Sequence, residues 1–278
     1  MPNFLSDLST AVNKDILSDL NFANNTVDEF NCWIDGSNPK TDFTVFHINI
    51  CSLNKNGNAY NFLFTLRLTF DVVVLTEIWN INLDLFKNLF EGYTVYFDVP
   101  ADSIVGGVGV YVRNCYSCSI LNALKIKSTE INRVENIWIE IRSSDHKYTL
   151  GAVYRHPNQA INDFTRLLDQ NLCQLANTRD PCIIVGDLNI DLCKYSTHGR
   201  TVDYINNVLS NNFLPYIIMP THFGYNSSTI IDHIYYKRGN QHNTVVNGGN
   251  LWCSITDHLP NYIIIQADKT MKRNFRYH

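Results

Sequence analysis

Short apolar runs rich in Val and Ile recur along the chain and end abruptly in polar side chains. The clearest is Pro181-Cys182-Ile183-Ile184-Val185-Gly186-Asp187-Leu188-Asn189, where apolar residues lead through a glycine to a carboxylate and an amide. Such a run reads as a buried strand that delivers functional groups to a sheet edge. Side chains alternate along an extended segment, so Asp187 and Asn189 are expected on one side and Leu188 on the core side. Taken alone, Asp-Leu-Asn would serve equally well as a turn after a strand.

The pattern repeats. Phe43-Thr44-Val45-Phe46-His47-Ile48-Asn49-Ile50 alternates so that Val45, His47 and Asn49 share a face. Gly57 to Thr69 carries apolar residues at helical spacing, and Asp71-Val72-Val73-Val74-Leu75-Thr76-Glu77 is a second buried strand ending in a carboxylate. Gly106-Gly107-Val108-Gly109-Val110-Tyr111-Val112 and Ile137-Trp138-Ile139-Glu140-Ile141 add strands. Tyr148 to Arg155 predicts another, ending in polar groups and stopped by Pro157. Ile161 to Leu175 predicts an amphipathic helix with Phe164, Leu167, Leu168, Leu172 and Leu175 on one stripe, and a second helix runs through Tyr204-Ile205 and Val208-Leu209. The last third holds Thr229-Ile230-Ile231-Asp232-His233-Ile234, a loop with Thr256-Asp257-His258, and a closing strand Asn261-Tyr262-Ile263-Ile264-Ile265.

Strands alternate with helices early and follow one another through loops later. This order predicts an α/β fold, a four-layer sandwich of two packed mixed β-sheets flanked by helices. A doubly wound nucleotide fold fits less well, because Gly106-Gly107-Val108-Gly109 precedes a strand rather than a phosphate-binding helix. Residues 1–41, rich in Asn, Asp and Ser, are expected as a loosely docked N-terminal extension, 42–268 as one catalytic domain and 269–278 as a short C-terminal tail.

With 278 residues, 45% of them hydrophobic, the chain can bury one large core. Its 22 Lys+Arg against 26 Asp+Glu give a formal net charge of -4, so an anionic partner must be held by a local patch or a metal rather than by a global basic field. Eight cysteines, several inside apolar runs, read as free buried thiols of a reducing compartment. Cys115-Tyr116-Ser117-Cys118 lacks the second pair that a zinc site needs. The N-terminus has no apolar leader and no stretch approaches a membrane span, so a soluble intracellular protein is expected.

The strand ends collect Asn49, Glu77, Tyr154, Asp187 with Asn189, and Asp232, and a loop adds Asp257-His258. Hard oxygen ligands, an imidazole with carboxylate partners and two amides suit Mg²⁺-assisted attack of water on a phosphodiester. In this order the set resembles the endonuclease/exonuclease/phosphatase superfamily, which includes apurinic endonucleases and pancreatic deoxyribonuclease. Within it the chain is most similar to the apurinic-type endonuclease domain of non-LTR (LINE-type) retrotransposons. The similarity runs from about Phe43 to Ile265, and is also carried by Phe46 to Lys55, Gly107 to Asn114, Pro220-Thr221 and Asn226 to Ile234.

The resemblance implies a DNase-I-like fold and a Mg²⁺-dependent endonuclease, with Mn²⁺ able to substitute. It would nick double-stranded DNA and leave a 3′-hydroxyl that primes reverse transcription. By the same resemblance Glu77 would be the principal metal ligand, with Asn49 and Asp257 contributing. Asp187 would activate the attacking water and Asn189 would orient it. His258 would hydrogen-bond the scissile phosphate, with Asp232 fixing its tautomer, and Tyr154 would support the phosphate; the histidine as base is the alternative. Arg155 is expected to touch a DNA phosphate or to sit in a surface salt bridge. Element RNA or a reverse transcriptase domain would be partners if the chain belongs to a longer polyprotein, and the site of action would be nuclear. Thr256 stands where relatives often have Ser, and Cys51 where some carry an acidic or amide residue. His233 is expected to point away from Asp232, and Trp79, Trp138 and Trp252 to be core or rim. The same fold acting on a phosphoinositide, RNA or sphingolipid head group, and a domesticated DNA-binding copy, are the competing readings.

Overall fold

The computed structural model describes residues 4, 21–37, 41–53, 57–79, 83–101, 103–127, 133–144, 146–239 and 244–267. The expected C-terminal tail and nearly all of 1–20 lie outside the described residues. Numbered in chain order, seven strands form the first sheet in the order β1 (Asn21–Asn25), β14 (Thr244–Leu251), β15 (Asn261–Ala267), β2 (Thr41–Asn49), β3 (Val72–Thr76), β5 (Val108–Arg113) and β4 (Tyr93–Asp98). Six form the second, in the order β10 (Leu214–Pro215), β13 (Asp232–Lys237), β9 (Cys182–Asp187), β8 (Lys147–Arg155), β7 (Val134–Arg142) and β6 (Ser117–Ile120). A separate hairpin joins β11 (His222–Gly224) to β12 (Ser227–Thr229). In each sheet a central parallel pair, β2 with β3 and β8 with β9, is flanked by antiparallel neighbours.

Alternation along β2 and β8 explains how the sheets pack. Phe43 and Val45 of β2 and Tyr148, Leu150 and Ala152 of β8 fill the space between the sheets, and Phe43 stacks on Tyr148 with ring centroids 4.1 Å apart. Phe46 and Ile48 face outward, where α1 (Val27–Ser37) and α2 (Gly57–Thr65) cover the first sheet. On the far side α3 (Ile161–Ala176) buries Phe164, Leu168, Leu172 and Leu175, and α4 (Gly199–Ser210) buries Tyr204, Ile205 and Val208. The result is the four-layer arrangement. No helix among the described residues is long and apolar enough to cross a membrane.

Residues 21–37, expected within a loosely docked extension, are instead built into the sandwich. β1 pairs in parallel with β14, and Phe30 of α1 is fully buried with its ring 5.0 Å from that of Tyr262. The eight thiols form no disulfide; Cys182 is buried, whereas Cys32, Cys115 and Cys173 are exposed rather than in the core.

Candidate active site

The parallel pairs of both sheets end at one seam. Continuing the inner face of β2 past Val45 places His47 and Asn49 between the sheets, both fully buried. β3 stops beside Asn49, and Glu77 follows with φ +53°. The two connections are zipped together, Ile50 N donating to Thr76 O (3.1 Å) and Ser52 N to Glu77 O (2.8 Å). Cys51 (φ +47°) and Asn189 (φ +50°) also adopt the left-handed conformation that non-glycine residues avoid, and such strain persists only where surrounding bonds over-determine it. In the second sheet Asp187 ends β9 opposite Asp232, the first residue of β13. Gly186 before it has φ +146°, and a Cβ there would lie 1.9 Å from Val153 O, so only glycine lets β9 approach β8 at this point.

Asn49 joins the two halves. Its Nδ2 donates to Glu77 Oε1 (3.0 Å) and to Asp187 Oδ2 (2.9 Å), while Tyr154 OH donates to the same Glu77 oxygen at 3.0 Å. Asp187 Oδ1 accepts from Asn189 N at 3.0 Å. Burial, and then the charge of Asp232, push the Asp187 carboxyl well above the usual carboxylate range. Burial and the neighbouring Glu77 push the Tyr154 hydroxyl up, so it stays a phenol and a donor.

A second linkage crosses the seam. His258 Nδ1 lies 2.8 Å from Asp232 Oδ2, which also accepts from the Thr221 hydroxyl at 2.7 Å. Burial opposes the imidazolium, but the Asp232 carboxylate outweighs it and raises His258 to about 10. Asp232 is correspondingly held ionised. Asp232 Oδ1 is buried and accepts no hydrogen bond among the described residues; His47 Nδ1, held to Asn261 Oδ1 at 3.0 Å, stands 4.0 Å away. Thr256 fixes the loop, its hydroxyl donating to Asn49 O (3.0 Å) while accepting from His258 N (3.0 Å). Asp257 is more than half exposed, with Oδ1 3.8 Å from Cys51 Sγ and Oδ2 3.3 Å from His222 Nε2. Burial, then Glu77, Asp257 and Asp187, raise the Cys51 thiol to about 12, so three carboxylates surround one protonated thiol.

The seam thus brings together Asn49, Glu77, Tyr154, Asp187, Asn189, Asp232, Asp257 and His258. One expected role changes, and two residues gain structural partners. Arg155 is buried, not at the surface: Nε donates to Leu188 O (2.6 Å), Nη2 to Asn189 O (2.6 Å) and Nη1 to Gln159 O (2.7 Å), so its fork shapes the loop after β9 instead of meeting a DNA phosphate. Asn49 turns its amide nitrogen to both carboxylates and its Oδ1 to Cys51 N (3.1 Å), which makes it a tether between them. Asn189 reaches the site through a left-handed turn, not strand alternation, and its Nδ2 is spent on Arg155 O at 2.8 Å.

His233 points away as expected, its Nε2 3.0 Å from Ile190 O and its Nδ1 between the hydroxyls of Tyr204 and Tyr235. Trp138 is core and Trp252 is a half-exposed rim residue. Sequence reasoning missed the contributions of His47, Thr221 and His222. Strand alternation had already put His47 on the face of Asn49, but nothing local relates Thr221 or His222 to Asp232 and Asp257. Nor did it find the buried Glu135, whose Oε2 meets His156 Nε2 (2.9 Å) and Gly107 N (3.3 Å) beside Tyr154.

The model of the Endonuclease/Exonuclease/phosphatase family matches residues 29–258. A sequence comparison with curated proteins finds no match. Among solved structures, the endonuclease domain of TRAS1, a telomere-specific non-LTR retrotransposon, superposes with a TM-score of 0.64 at 13% identity, covering 82% of this chain and 99% of that one. D. rerio TDP2 complexed with single-strand DNA product gives 0.60 at 13% identity, covering 81% and 99%. A Bacteroides thetaiotaomicron mannosyl-6-phosphatase gives 0.58 at 14% identity, again covering 81% and 99%.

Proposed function

Since the chain belongs to the Endonuclease/Exonuclease/phosphatase family, whose members are hydrolytic phosphoesterases, we propose that it is a Mg²⁺-dependent endonuclease of the retrotransposon kind, nicking double-stranded DNA to leave a 3′-hydroxyl. One observation carries this reading: Asn49 ties Glu77 of one sheet to Asp187 of the other beside a histidine kept charged by Asp232. The likeness to the TRAS1 endonuclease domain over 99% of that chain supports the choice of DNA.

The donor set fits a hard cation. Glu77, Asp187 and Asp257 offer carboxylate oxygens around a thiol that stays protonated, and Glu77 Oε2 accepts from no group among the described residues. Glu77 would hold the ion with Asp187 and Asp257 at hand, and a bound Mg²⁺ or Mn²⁺ supplies neutralisation of charge on a phosphate oxygen. Asp187, held by Asn49 and by Asn189 N, takes a proton from the attacking water as its oxygen bonds to phosphorus. The phosphorus–O3′ bond breaks, and the departing oxygen takes a proton from solvent. His258 directs Nε2–H at the charge growing on the phosphate, and Asn189 Oδ1 orients the water. Tyr154 keeps Glu77 in place through its hydroxyl. Arg155 acts at one remove, by setting the turn that carries Asn189.

The test is conversion of supercoiled plasmid to open circles in Mg²⁺, with extension of the nick by a DNA polymerase as the check for a 3′-hydroxyl. Asp187→Ala and His258→Ala should each slow nicking by about 10²-fold or more. Hydrolysis of a sugar phosphate with no action on plasmid would overturn the DNA reading.

A further inference from the structure

We propose that His222, Asp257 and His258 form a second cation site, for a transition metal of the Zn²⁺ class, and that an ion held there silences the hydrolytic centre by capturing His258. The binding half stands on geometry alone; the silencing half rests on the function proposed above.

Two imidazoles and a carboxylate make a nitrogen-rich donor set, unlike the oxygens around Glu77. Imidazole suits Zn, Cu, Fe and Ni, whereas carboxylate and water suit Mg. The three ligand atoms lie within 4.8 Å of one another. At zinc bond lengths of about 2.0–2.1 Å, neighbouring donors of a tetrahedron stand about 3.3 Å apart. His222 Nε2 and Asp257 Oδ2 are already 3.3 Å apart. The segments that carry them are locked: Phe223 N donates to Asp257 O (3.0 Å), Leu259 N donates to Thr221 O (2.7 Å), and the rings of His222 and His258 are 4.7 Å apart.

His258 contributes the third position through Nε2, because Nδ1 is engaged by Asp232. A carboxylate behind the far nitrogen is the arrangement that orients metal-binding histidines and strengthens them as ligands. Asp257 is 55% exposed and His222 26%, so an ion reaches the site from solvent. Coordination replaces the proton on Nε2, which leaves to solvent. With that proton goes the donor assigned above to the phosphate. Mg²⁺, which dehydrates reluctantly and prefers oxygen, does not compete for the imidazoles.

The experiment titrates Zn²⁺ into the full chain in excess Mg²⁺ without DNA, following the histidine ring resonances by NMR and the affinity by calorimetry. A single equivalent should move the rings of His222 and His258. Affinity should fall about tenfold or more in His222→Gln and in Asp257→Asn, and stay within about twofold in Glu77→Gln. The Zn²⁺ concentration that halves each preparation's own Mg²⁺-dependent rate should rise in step for His222→Gln. Unperturbed His222 and His258 resonances, unchanged affinity in His222→Gln, or loss of binding in Glu77→Gln would overturn the site. Melting curves identify any variant that fails to fold, and the native resonances then decide. Zinc on these histidines in a chain that never cuts DNA would sink the function above and leave the cation site standing; nicking with indifferent histidines would do the reverse.

Discussion

Replacing Arg155 with methionine distinguishes a guanidinium that builds the site from one that grips DNA. The side chain is 1% exposed, lies 6.0 Å over the ring of Phe164, and sends three donors to the carbonyls of Leu188, Asn189 and Gln159. Methionine fills much of the volume and satisfies none of those acceptors. Charged hydrogen bonds contribute about 1.5–3 kcal/mol each but not additively, and leaving a buried network half-made costs about 3–5 kcal/mol. Against a total stability of about 5–15 kcal/mol, and at about 2–4 °C per kcal/mol, the melting temperature should drop by roughly 6–20 °C. Arg155→Lys keeps a charge, but one ammonium cannot serve three carbonyls on two segments, so about half that loss is expected. Thermal unfolding by circular dichroism gives the first number, and DNA affinity against salt, measured well below the melting point, gives the second. A variant that melts within about 2 °C of the native chain while its log–log salt slope falls by about one would refute the reasoning.

Glu77→Gln keeps an acceptor for Asn49 and Tyr154 but removes the charge, so Mg²⁺ binding by calorimetry should disappear and nicking fall by about 10²-fold or more, with melting little changed. The His258 pKa, raised to about 10 by Asp232, puts the alkaline limb of the rate profile near that pH. In Asp232→Asn the limb should move toward the ordinary histidine value of about 6.5, which an NMR titration of His258 checks. The sign for stability follows: a raised histidine contributes fully below about 6.5 and loses its contribution as pH rises through its folded value. Denaturant titrations from neutral to alkaline pH should therefore show the native chain converging on Asp232→Asn, and parallel curves would count against the pair. Gly186→Ala drives a methyl into Val153 O, 1.9 Å from the ideal Cβ position, and should cost about 3 kcal/mol or more, read as a lower denaturation midpoint.

The site was legible where chemistry sits at the end of a buried β-branched run. Val72 to Thr76 and Cys182 to Val185 have no exposed face, so Glu77 and Asp187 could only mark strand ends. The sheets' edges were not legible. Asn21 to Asn25 carries no apolar alternation because β1 has one neighbour and lies half-exposed. β14 carries Gly248 and Gly249, which weaken a strand signal, yet a Cβ at Gly249 would stand 2.2 Å from Ala23 O, which is why that glycine permits the β1 pairing. The helix after β1 carries a local signal that the expectation of a loose extension passed over. Thr26 and Glu29 form a capping box, Thr26 N donating to Glu29 Oε2 at 2.8 Å, and Phe30 and Ile34 follow on its inner stripe. Arg155 misled because a cation after a strand reads as surface until the carbonyls of a loop 34 residues away close over it. Left-handed Asn189 misled for a related reason: alternation ends where the strand does.

Each sheet carries half of the groups gathered at the seam, so on the proposed function the spacing between the layers should itself be a kinetic variable. Phe43 and Tyr148, stacked between the sheets, lie six residues before Asn49 and before Tyr154, some ~20 Å along each strand. A slimmer side chain at either position leaves every polar group of the seam intact and alters only how the two β-layers lean together. Its effect would surface as turnover lost ahead of folding, in a region that a map of ligands and bases would leave blank. Reciprocally, anything that grips Glu77 and Asp187 at once clasps the layers, and slower amide exchange along β2, β3, β8 and β9 together would be its signature.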